Sequence, residues 1–551
     1  MTTYYVDATN GNDNNVGTSP DTAWETVSKV NNESFAPGDS ILFKRGNAWT
    51  GTKLVISDDG KAGQPITVGA YGSGDKPSIQ NSGSSSNETD GIQMTGRHVT
   101  VENVMVEDVH NWGVHMDADY GIVQNCEITN VGIGVGVSGQ NCLITGNYIH
   151  DLNMVVNDAE PTHNDYGAVG VWFYNSFNEA SYNTLINCEA VSQDYGYDGG
   201  AFEFWVEEAD GTIRDVYIHH NYAELCNGFC EISTNEYGNA IDIRLSYNVI
   251  IDCGYFTEVS IGPPYGSDVR NFRVDHNSYW NTKQHDNEWA PVIAFWDGDP
   301  GPQDTILYNN AFYVDGMYGI AERVGFTHDY NIFYLAGDTI LWNLTLNEHE
   351  STQDPLYNDP ENGDLHLRRG SPCIGAAKPQ EYTADYDDNP VPAGENADIG
   401  AFEAQRDYRF QLPSADALAG AWSRVDGAAD LYAALDDDVP DTEDAVRSED
   451  RPSASPCVVK LGSAPPPDGE GGHYLRYTYR RAGAHPLAEL TVELRQGYTD
   501  EGSPGTLIAS WLHSKVPATW KTVRQELTTE QAENIDWGGE DLYVRMVANL
   551  G

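Results

Sequence analysis

The chain is short of positive charge. Its 551 residues include 30 lysines and arginines against 84 aspartates and glutamates, a formal net charge of −54. The phosphates of nucleic acids would repel such a chain, so no nucleic acid partner is expected. High charge is also typical of disorder, but 40% hydrophobic and 11% aromatic residues suffice for a core. We therefore expect a folded protein from a high-salt environment, where salt screens the repulsion among surface carboxylates.

Long apolar runs are also missing. No stretch of about 18 apolar residues occurs, so no membrane insertion is expected. The first residues, MTTYYVDATNGND, contain neither a basic n-region nor an apolar h-region. We therefore expect synthesis in the cytoplasm without a signal peptide, unless a leader has been removed.

Paired cysteines are the third absence. The eight cysteines contain no CxxC pair and are too sparse for a disulfide framework in a chain of this length. Cys188, Cys226 and Cys253 each follow a repeated asparagine by five residues. This spacing predicts thiols stacked in a core.

What the chain does have is a repeat. An asparagine flanked by apolar or aromatic residues recurs about every 22 residues, or at a longer interval where a loop is inserted. The repeated residues are Asn103, Asn125, Asn147, Asn183, Asn221, Asn248, Asn277, Asn310 and Asn331. A rung of this length cannot bury its own apolar face and must stack on its neighbours. We therefore predict a β-solenoid with an asparagine ladder along one corner.

These repeats resemble the right-handed parallel β-helix superfamily, which includes pectate lyase-like enzymes, related glycoside hydrolases and phage tailspikes. The segments PGDSILFKRG and GQPITVGAYGSGDKPSI resemble the first rungs of such helices, and DPLYNDPENGDLHLRRGSPCIGAA followed by ADIGAFE resembles the last. The resemblance implies an all-β fold: a right-handed parallel β-helix followed by a small C-terminal β-sandwich-like domain. It does not choose a reaction, because this fold hosts several chemistries.

We predict four segments. Residues 1–90 form the N-terminal cap and first rungs, 91–335 the central β-helix, 336–404 the closing rungs, and 405–551 a C-terminal β domain for assembly or attachment. The last segment has alternating strands such as HYLRYTYR and LAELTVELRQG. It resembles modules of tailed-virus structural proteins.

A second strand in each rung presents an outward column of side chains. With period two, Val114, Val135, Val171, Phe202 and Cys230 would face the core. The alternate positions hold the outward set His115, Gly136, Trp172, Glu203, Glu231, Glu258 and Ala294. Stacked carboxylates repel one another, so a column of three glutamates costs stability unless it has a use.

The use we predict is glycan chemistry, with Glu203, Glu231 and Glu258 as the catalytic candidates. Strands lie about 4.8 Å apart, so neighbouring and alternate carboxylates bracket the separations of retaining and inverting glycosidases. Like charges would raise at least one pKa, as a general acid requires. Candidate sugar-binding residues are Trp172, Tyr174, Asp198, Trp205, His163, Asp165 and Trp296, the loop residues coming from inserted segments 157–167 and 192–200.

Other uses stay open at this point. No cofactor is required, although acidic oxygens beside loop aspartates would also suit Ca²⁺. Lyases of the family that this chain resembles often use a lysine or arginine base, and Arg244, Arg270 and Arg323 lie away from the glutamates, which argues against a lyase. A tyrosine or histidine base stays open. The groove could bind without cutting, or the chain could be a structural spacer.

The resemblance and the composition together define one expectation. We expect a tail spike, fibre or surface protein of the virion of a halophilic archaeal virus. Its partners would be a host surface polysaccharide or glycoprotein glycan and other virion proteins, and it would form a homotrimer, with glycoside hydrolysis left open. The alternatives are a non-catalytic structural or decoration protein of the virion and a secreted polysaccharide lyase or hydrolase.

Overall fold

A computed structural model provides the structure of the chain. It describes residues 1–550 except 83–88, 160–163, 207–210, 235–237, 261–267, 283–291, 297–303, 316–325, 338, 342, 369, 393–395, 405–412, 426–429, 432–434, 436–445, 450–451, 462–473, 482–487, 515, 518–520, 529–530, 533 and 537–540. The chain divides into two compact units, Met1–Ala404 and Gln405–Gly551.

The first unit is a parallel β-helix with three faces. The first face is a 13-stranded parallel sheet. Its strands are Thr3–Val6, Ser40–Lys44, Ile66–Tyr71, Val99–Glu102, Ile122–Gln124, Leu143–Thr145, Glu179–Ser181, Thr212–His219, Asn239–Ser246, Asp268–Arg270, Arg273–Asp275, Ile306–Tyr308 and Thr327–Asp329. Parallel pairing of successive rungs confirms the predicted fold class.

The second and third faces are joined by two long strands, Met105–Met116 and Glu127–Val137, which run across both. The second face adds Ala48–Thr50, Ser78–Asn81, Tyr148–His150, Thr184–Ile186, Tyr222–Glu224, Val249–Ile251, Ser278–Asn281, Ala311–Asp315 and Ile332–Ala336. The third face adds Leu54–Ile56, Ile92–Met94, Val169–Phe173, Gly200–Val206, Cys230–Thr234, Thr257–Ser260 and Ile293–Trp296.

Short elements complete this unit. Helix Val27–Asn31 begins at Thr26, whose hydroxyl accepts a hydrogen bond from the Lys29 N–H at 3.0 Å. Two 3₁₀ turns cover Pro20–Thr22 and Pro360–Asn362. The antiparallel hairpins pair Met154–Val156 with Tyr166–Gly167, Ala190–Ser192 with Gly196–Asp198, and Tyr357–Asp359 with Asp364–Leu367. No helix in the described part of the chain is long and apolar enough to cross a membrane.

The asparagine ladder is present, but it has seven members rather than nine. From Asn147 to Asn331, each side-chain amide donates to the amide oxygen of the next rung at 2.9–3.0 Å. Asn103 and Asn125 were wrongly included. They occupy the left-handed corner one residue earlier, at φ +57° and +53°, where asparagine is tolerated. Val104 and Cys126 hold the ladder positions of those rungs, and the Cys126 N–H donates to Asn147.

The described core of the first unit is formed mainly by apolar side chains, with the asparagine ladder at one corner. The predicted inward residues are buried, as are all eight cysteines. Leu185, Ala223 and Ile250 stand in register on consecutive strands, and the buried thiols of Cys188, Cys226 and Cys253 each follow three residues later, so these thiols lie on consecutive rungs.

The second unit is antiparallel. Five strands lie in the order Pro413–Leu418, Ser455–Leu461, Leu542–Leu550, Ala488–Gln496 and Thr506–His513. Two-stranded sheets pair Ser423–Arg424 with Val446–Arg447 and Tyr474–Tyr479 with Lys521–Glu526. Val459, Val492, Leu494, Ile508 and Val544 lie in its core.

Candidate active site on the third face

Glu203 lies in the strand Gly200–Val206, in which alternate side chains face opposite ways. Phe202 and Phe204 are buried in the core, whereas Glu203 and Trp205 lie on the outer side of the strand. Glu203 is nevertheless only 9% exposed. A carboxyl group that is outside the core and yet covered must lie under neighbouring side chains.

The glutamates stand in register on consecutive strands. Glu203 pairs with Glu231, and Glu231 pairs with Glu258. Trp172 precedes Glu203 on one side, and Ala294 follows Glu258 on the other. Adjacent strands lie about 4.8 Å apart, so these carboxyl groups are close enough to influence one another strongly.

Their electrostatics differ along the column. Burial, followed by the charges of Glu231, Asp198 and Glu258, raises the pKa of Glu203 well above its usual range. Burial also raises the pKa of Glu231, but two hydrogen bonds to its carboxylate act in the opposite direction. The Ser233 hydroxyl donates to Oε1 at 2.6 Å, and the Tyr255 hydroxyl donates to Oε2 at 3.3 Å. Glu203 therefore keeps its proton to higher pH than Glu231, and Glu231 ionises first.

The Tyr255 hydroxyl reaches Glu231 because the residue beneath the Tyr255 ring on the preceding rung is a glycine, Gly228. A Cβ at Gly228 would lie 2.0 Å from ring atoms of Tyr255, so any larger residue would displace the ring. The segments NGFCEIS and GYFTEVS align Gly228 with Tyr255, which is the signal that could have revealed this contact from sequence. Tyr255 was missed because it lies outside the period-two pattern, whereas Ser233 follows that pattern but its bond to Glu231 could not be predicted from it.

An aromatic cluster adjoins Glu203 on the N-terminal side. Trp172 stacks with Trp112 at 6.5 Å between ring centres and lies 5.3 Å from Tyr174. The Trp112 ring packs over Gly136, where a Cβ would lie 1.4 Å from the ring. Tyr166 packs edge-on against Trp172, with 5.9 Å between the ring centres. The buried indole Nε1 of Trp172 has no hydrogen-bond partner among the described residues. Such a surface can pack on a sugar ring.

The other predicted sugar-binding residues have different surroundings. Trp205 is half-buried in register with Ser233. Asp198 is half-buried at the end of a hairpin, and burial followed by Glu231 and Asp165 raises its pKa to about 7. Asp165 is buried, and its carboxylate already accepts hydrogen bonds from the Asp158 N–H of its own segment and from Gln193 and Asp194 of the neighbouring hairpin. His163 lies outside the described residues, as does the side chain of Trp296.

The arginines considered as lyase bases lie on the first face or outside the described residues. Arg244 and Arg270 lie on the first face, and the Arg244 Nε donates to the Tyr382 hydroxyl at 3.0 Å. Arg323 lies outside the described residues. Within the described ranges, no group of three or more histidine, cysteine, aspartate or glutamate side chains is arranged to hold a metal ion.

Comparisons with known proteins agree with this architecture. A family model described as the right handed beta helix region matches residues 40–198 and 90–333, more than half of the chain. The chain therefore belongs to the right-handed β-helix family.

One curated relative is the lacto-N-biosidase of Bifidobacterium longum subsp. longum, which is 38% identical over 136 residues. That match covers 23% of this chain and 8% of the relative, so the chain spans less than a tenth of that protein.

Two solved structures are also similar. Pectate lyase Pel9A has a TM-score of 0.46 and 16% identity, over 73% of this chain and 96% of that one. The tailspike protein of E. coli bacteriophage HK620 has a TM-score of 0.38 and 11% identity, over 55% of each chain. The resemblance of residues 405–551 to tailed-virus modules stays a prediction.

Proposed function

We propose that this chain binds a glycan along the third face and hydrolyses one of its glycosidic bonds, with Glu203 and Glu231 as the two catalytic carboxyl groups. The observation that carries the proposal is the unequal treatment of two in-register glutamates. One is buried among like charges, and the other accepts hydrogen bonds from Ser233 and Tyr255. Pairs of titratable groups with opposed environments are how glycosidases divide the acid and base roles.

The chemistry follows from these surroundings. Glu203 donates its proton to the leaving oxygen as the glycosidic bond breaks. The Glu231 carboxylate, about 5 Å away by strand spacing, bonds to the anomeric carbon and forms a glycosyl ester. Glu203 then takes a proton from water, whose oxygen attacks the anomeric carbon and releases Glu231. Trp172 and its aromatic neighbours hold the sugar beside the carboxyl groups.

The local similarity to a lacto-N-biosidase supports hydrolysis over elimination. The arginines that a lyase could use as a base are on the first face or outside the described residues. Glycan binding without cleavage would use the same aromatic surface, and the experiment below separates these functions.

The test is turnover of exopolysaccharide and cell-surface glycans from halophilic hosts at high salt. We expect wild type to release reducing ends, and Glu203→Gln and Glu231→Gln to lower the rate by about 10²-fold or more. Glu179→Gln, at a half-buried glutamate on the first face, is the control and should behave as wild type. Products that absorb ultraviolet light as unsaturated uronates would move the assignment to a lyase. Tight binding without products would leave an adhesin or structural protein.

We propose further that the protein acts on the tail or surface of a virion whose host is a halophilic archaeon. The acidic composition and the resemblance of residues 405–551 to tailed-virus modules support this setting. A homotrimer and contacts with other virion proteins belong to the same proposal. Mass spectrometry of purified virions and light scattering at high salt test it, and a monomeric secreted enzyme is the competing outcome.

A further inference from the structure

Two inserted hairpins stand beside the third face, and their role is not explained by the β-helix itself. The first pairs Met154–Val156 with Tyr166–Gly167, and the second pairs Ala190–Ser192 with Gly196–Asp198. Each comes immediately before a third-face strand, Val169–Phe173 and Gly200–Val206 respectively. We call these two hairpins the hairpin wall.

Two aspartates join the hairpins reciprocally. The buried Asp165 carboxylate, on the first hairpin, accepts hydrogen bonds from the Ser192 hydroxyl at 2.8 Å and from the backbone N–H groups of Gln193 and Asp194 at 2.8 and 3.0 Å. In return, the Asp194 carboxylate accepts from the backbone N–H groups of Asn164 and Asp165. Burial raises the pKa of Asp165, but these donors outweigh it and leave the pKa lowered. Asp165 is thus an ionised clamp between the hairpins.

The wall ends in Asp198, which is held tightly. The Asp198 Oδ1 accepts from the Gly199 N–H at 2.8 Å. Gly199 has φ +103°, and a Cβ there would lie 2.5 Å from the Ala168 carbonyl oxygen. Only glycine fits this turn. In the hairpin, Asp198 pairs with Ala190 and shares its face, whereas the neighbouring Tyr197 points the opposite way and is 40% exposed.

The Glu203 carboxyl group is directed toward the Asp198 end of the hairpin wall. Its Oε1 would lie 3.6 Å from a Cβ built on Gly200, so the carboxyl group folds back along its own strand. Asp198 lies two residues before Gly200 and is half-buried, and its charge influences both Glu203 and Tyr255. The hairpin that carries Asp198 thus leads directly into the strand that carries Glu203 and the glutamate column.

We propose that the hairpin wall completes the reaction centre by holding Asp198 beside Glu203, with Asp165 as a positioning residue. This inference rests on the proposed function, because it concerns the acid of the same reaction. A carboxylate next to Glu203 makes loss of the Glu203 proton less favourable, so the acid stays protonated at higher pH. The ionisable groups that act on Glu203 from the strands are Glu231 and Glu258, and Tyr255 faces the same cluster.

The test measures Glu203 directly, without a glycan. The full chain is labelled with ¹³C at the glutamate carboxyl carbons, Glu203→Gln identifies the Glu203 resonance, and NMR follows its titration at high salt. We expect Asp198→Asn to lower the Glu203 midpoint by about one pH unit, since it removes a neighbouring negative charge. We expect Asp165→Asn to lower it in the same direction, because the hairpin that carries Asp198 loses its clamp.

The matched control is Asp13→Asn. Asp13 also accepts bonds from two backbone N–H groups and a hydroxyl, those of Glu25 and Thr26, but it lies in the N-terminal segment. It should leave the Glu203 titration unchanged even if it lowers the melting temperature as much as Asp165→Asn does. A Glu203 midpoint that Asp198→Asn does not move would overturn the inference. So would an Asp165→Asn titration identical to that of Asp13→Asn.

The proposed function fails by a different result. If Glu203→Gln cleaves the exopolysaccharide as fast as wild type, hydrolysis by this pair is wrong, whatever the titration shows. If Glu203→Gln is inactive while Asp198→Asn shows wild-type rates with the same alkaline limb of kcat/KM, only the role of the wall is wrong.

Discussion

At the residue scale, the site on the third face depends on side chains whose identity is visible in the sequence but whose neighbours are not. Strand alternation places Glu203, Glu231 and Glu258 on one face, and this could be predicted because the period of two is local. Trp112 could not be predicted as part of the aromatic cluster on the third face. Its position follows from a register shift between Val131 and Ile133 on the neighbouring strand, together with the absence of a side chain at Gly136.

Trp112 provides the prediction at this scale. We expect Trp112→Ala to weaken glycan binding about tenfold, because the stacked partner of Trp172 is lost, while kcat changes little. Affinity electrophoresis in the exopolysaccharide that wild type binds would measure this, and kcat and KM would be separated by reducing-end assays. Tyr120→Ala is the control, since Tyr120 is an exposed aromatic that stacks on His98 instead. Equal losses in both variants would contradict a specific role for Trp112.

At the element scale, the ladder explains how rungs of unequal length stay aligned. In the middle of the ladder, the Asn248 oxygen accepts from both the backbone and the side-chain N–H groups of Asn221, and its own amide donates to Asn277 and to the Ile218 carbonyl. The ladder ends where the Asn331 amide donates to the buried Glu350 carboxylate at 2.8 Å. Inserted loops can therefore leave one corner without disturbing the stack at another.

We expect Asn248→Ala to lower the free energy of unfolding by about 3 kcal/mol, because it removes the acceptor of two buried N–H groups of Asn221 and the side-chain donor to Asn277 and the Ile218 carbonyl. Thermal unfolding at high salt, followed by circular dichroism, would measure the loss. Asn125→Gly is the matched control: this exposed corner at φ +53° suits glycine, so its stability should change little. A similar loss in both variants would show that ladder and corner asparagines are equivalent.

The sequence could predict the ladder but not its exact membership. The repeated asparagine was recognisable by its apolar flanks, yet Asn103 and Asn125 share those flanks and differ only in backbone conformation. The hairpin wall was likewise visible as two long insertions. The Asp165 carboxylate accepts hydrogen bonds from backbone donors, whereas the charge of Asp198 raises the pKa of Glu203. Both effects depend on tertiary contacts that no local pattern encodes.

At the scale of the whole molecule, the excess of carboxylates makes stability depend on salt. With 84 acidic residues and 30 basic ones, self-repulsion opposes the folded state wherever it is not screened. We expect the melting temperature to rise as KCl increases from about 0.1 M to about 1 M, where the Debye length falls from about 10 to about 3 Å. Sucrose stabilises folded proteins by exclusion from the surface and not by screening, so the rise with KCl should persist at a constant sucrose concentration. A melting temperature independent of KCl would contradict a high-salt origin.

The measurement that tests the central claim most directly is time-resolved proton NMR of wild type acting on the glycan it turns over. Glu203 and Glu231 on neighbouring strands predict a new reducing-end anomeric signal that first appears with the configuration of the substrate. An inverted first product would contradict this pair and point to carboxyl groups farther apart, such as Glu203 and Glu258. The vinyl proton of an unsaturated uronate, or no new anomeric signal with any glycan, would contradict hydrolysis itself.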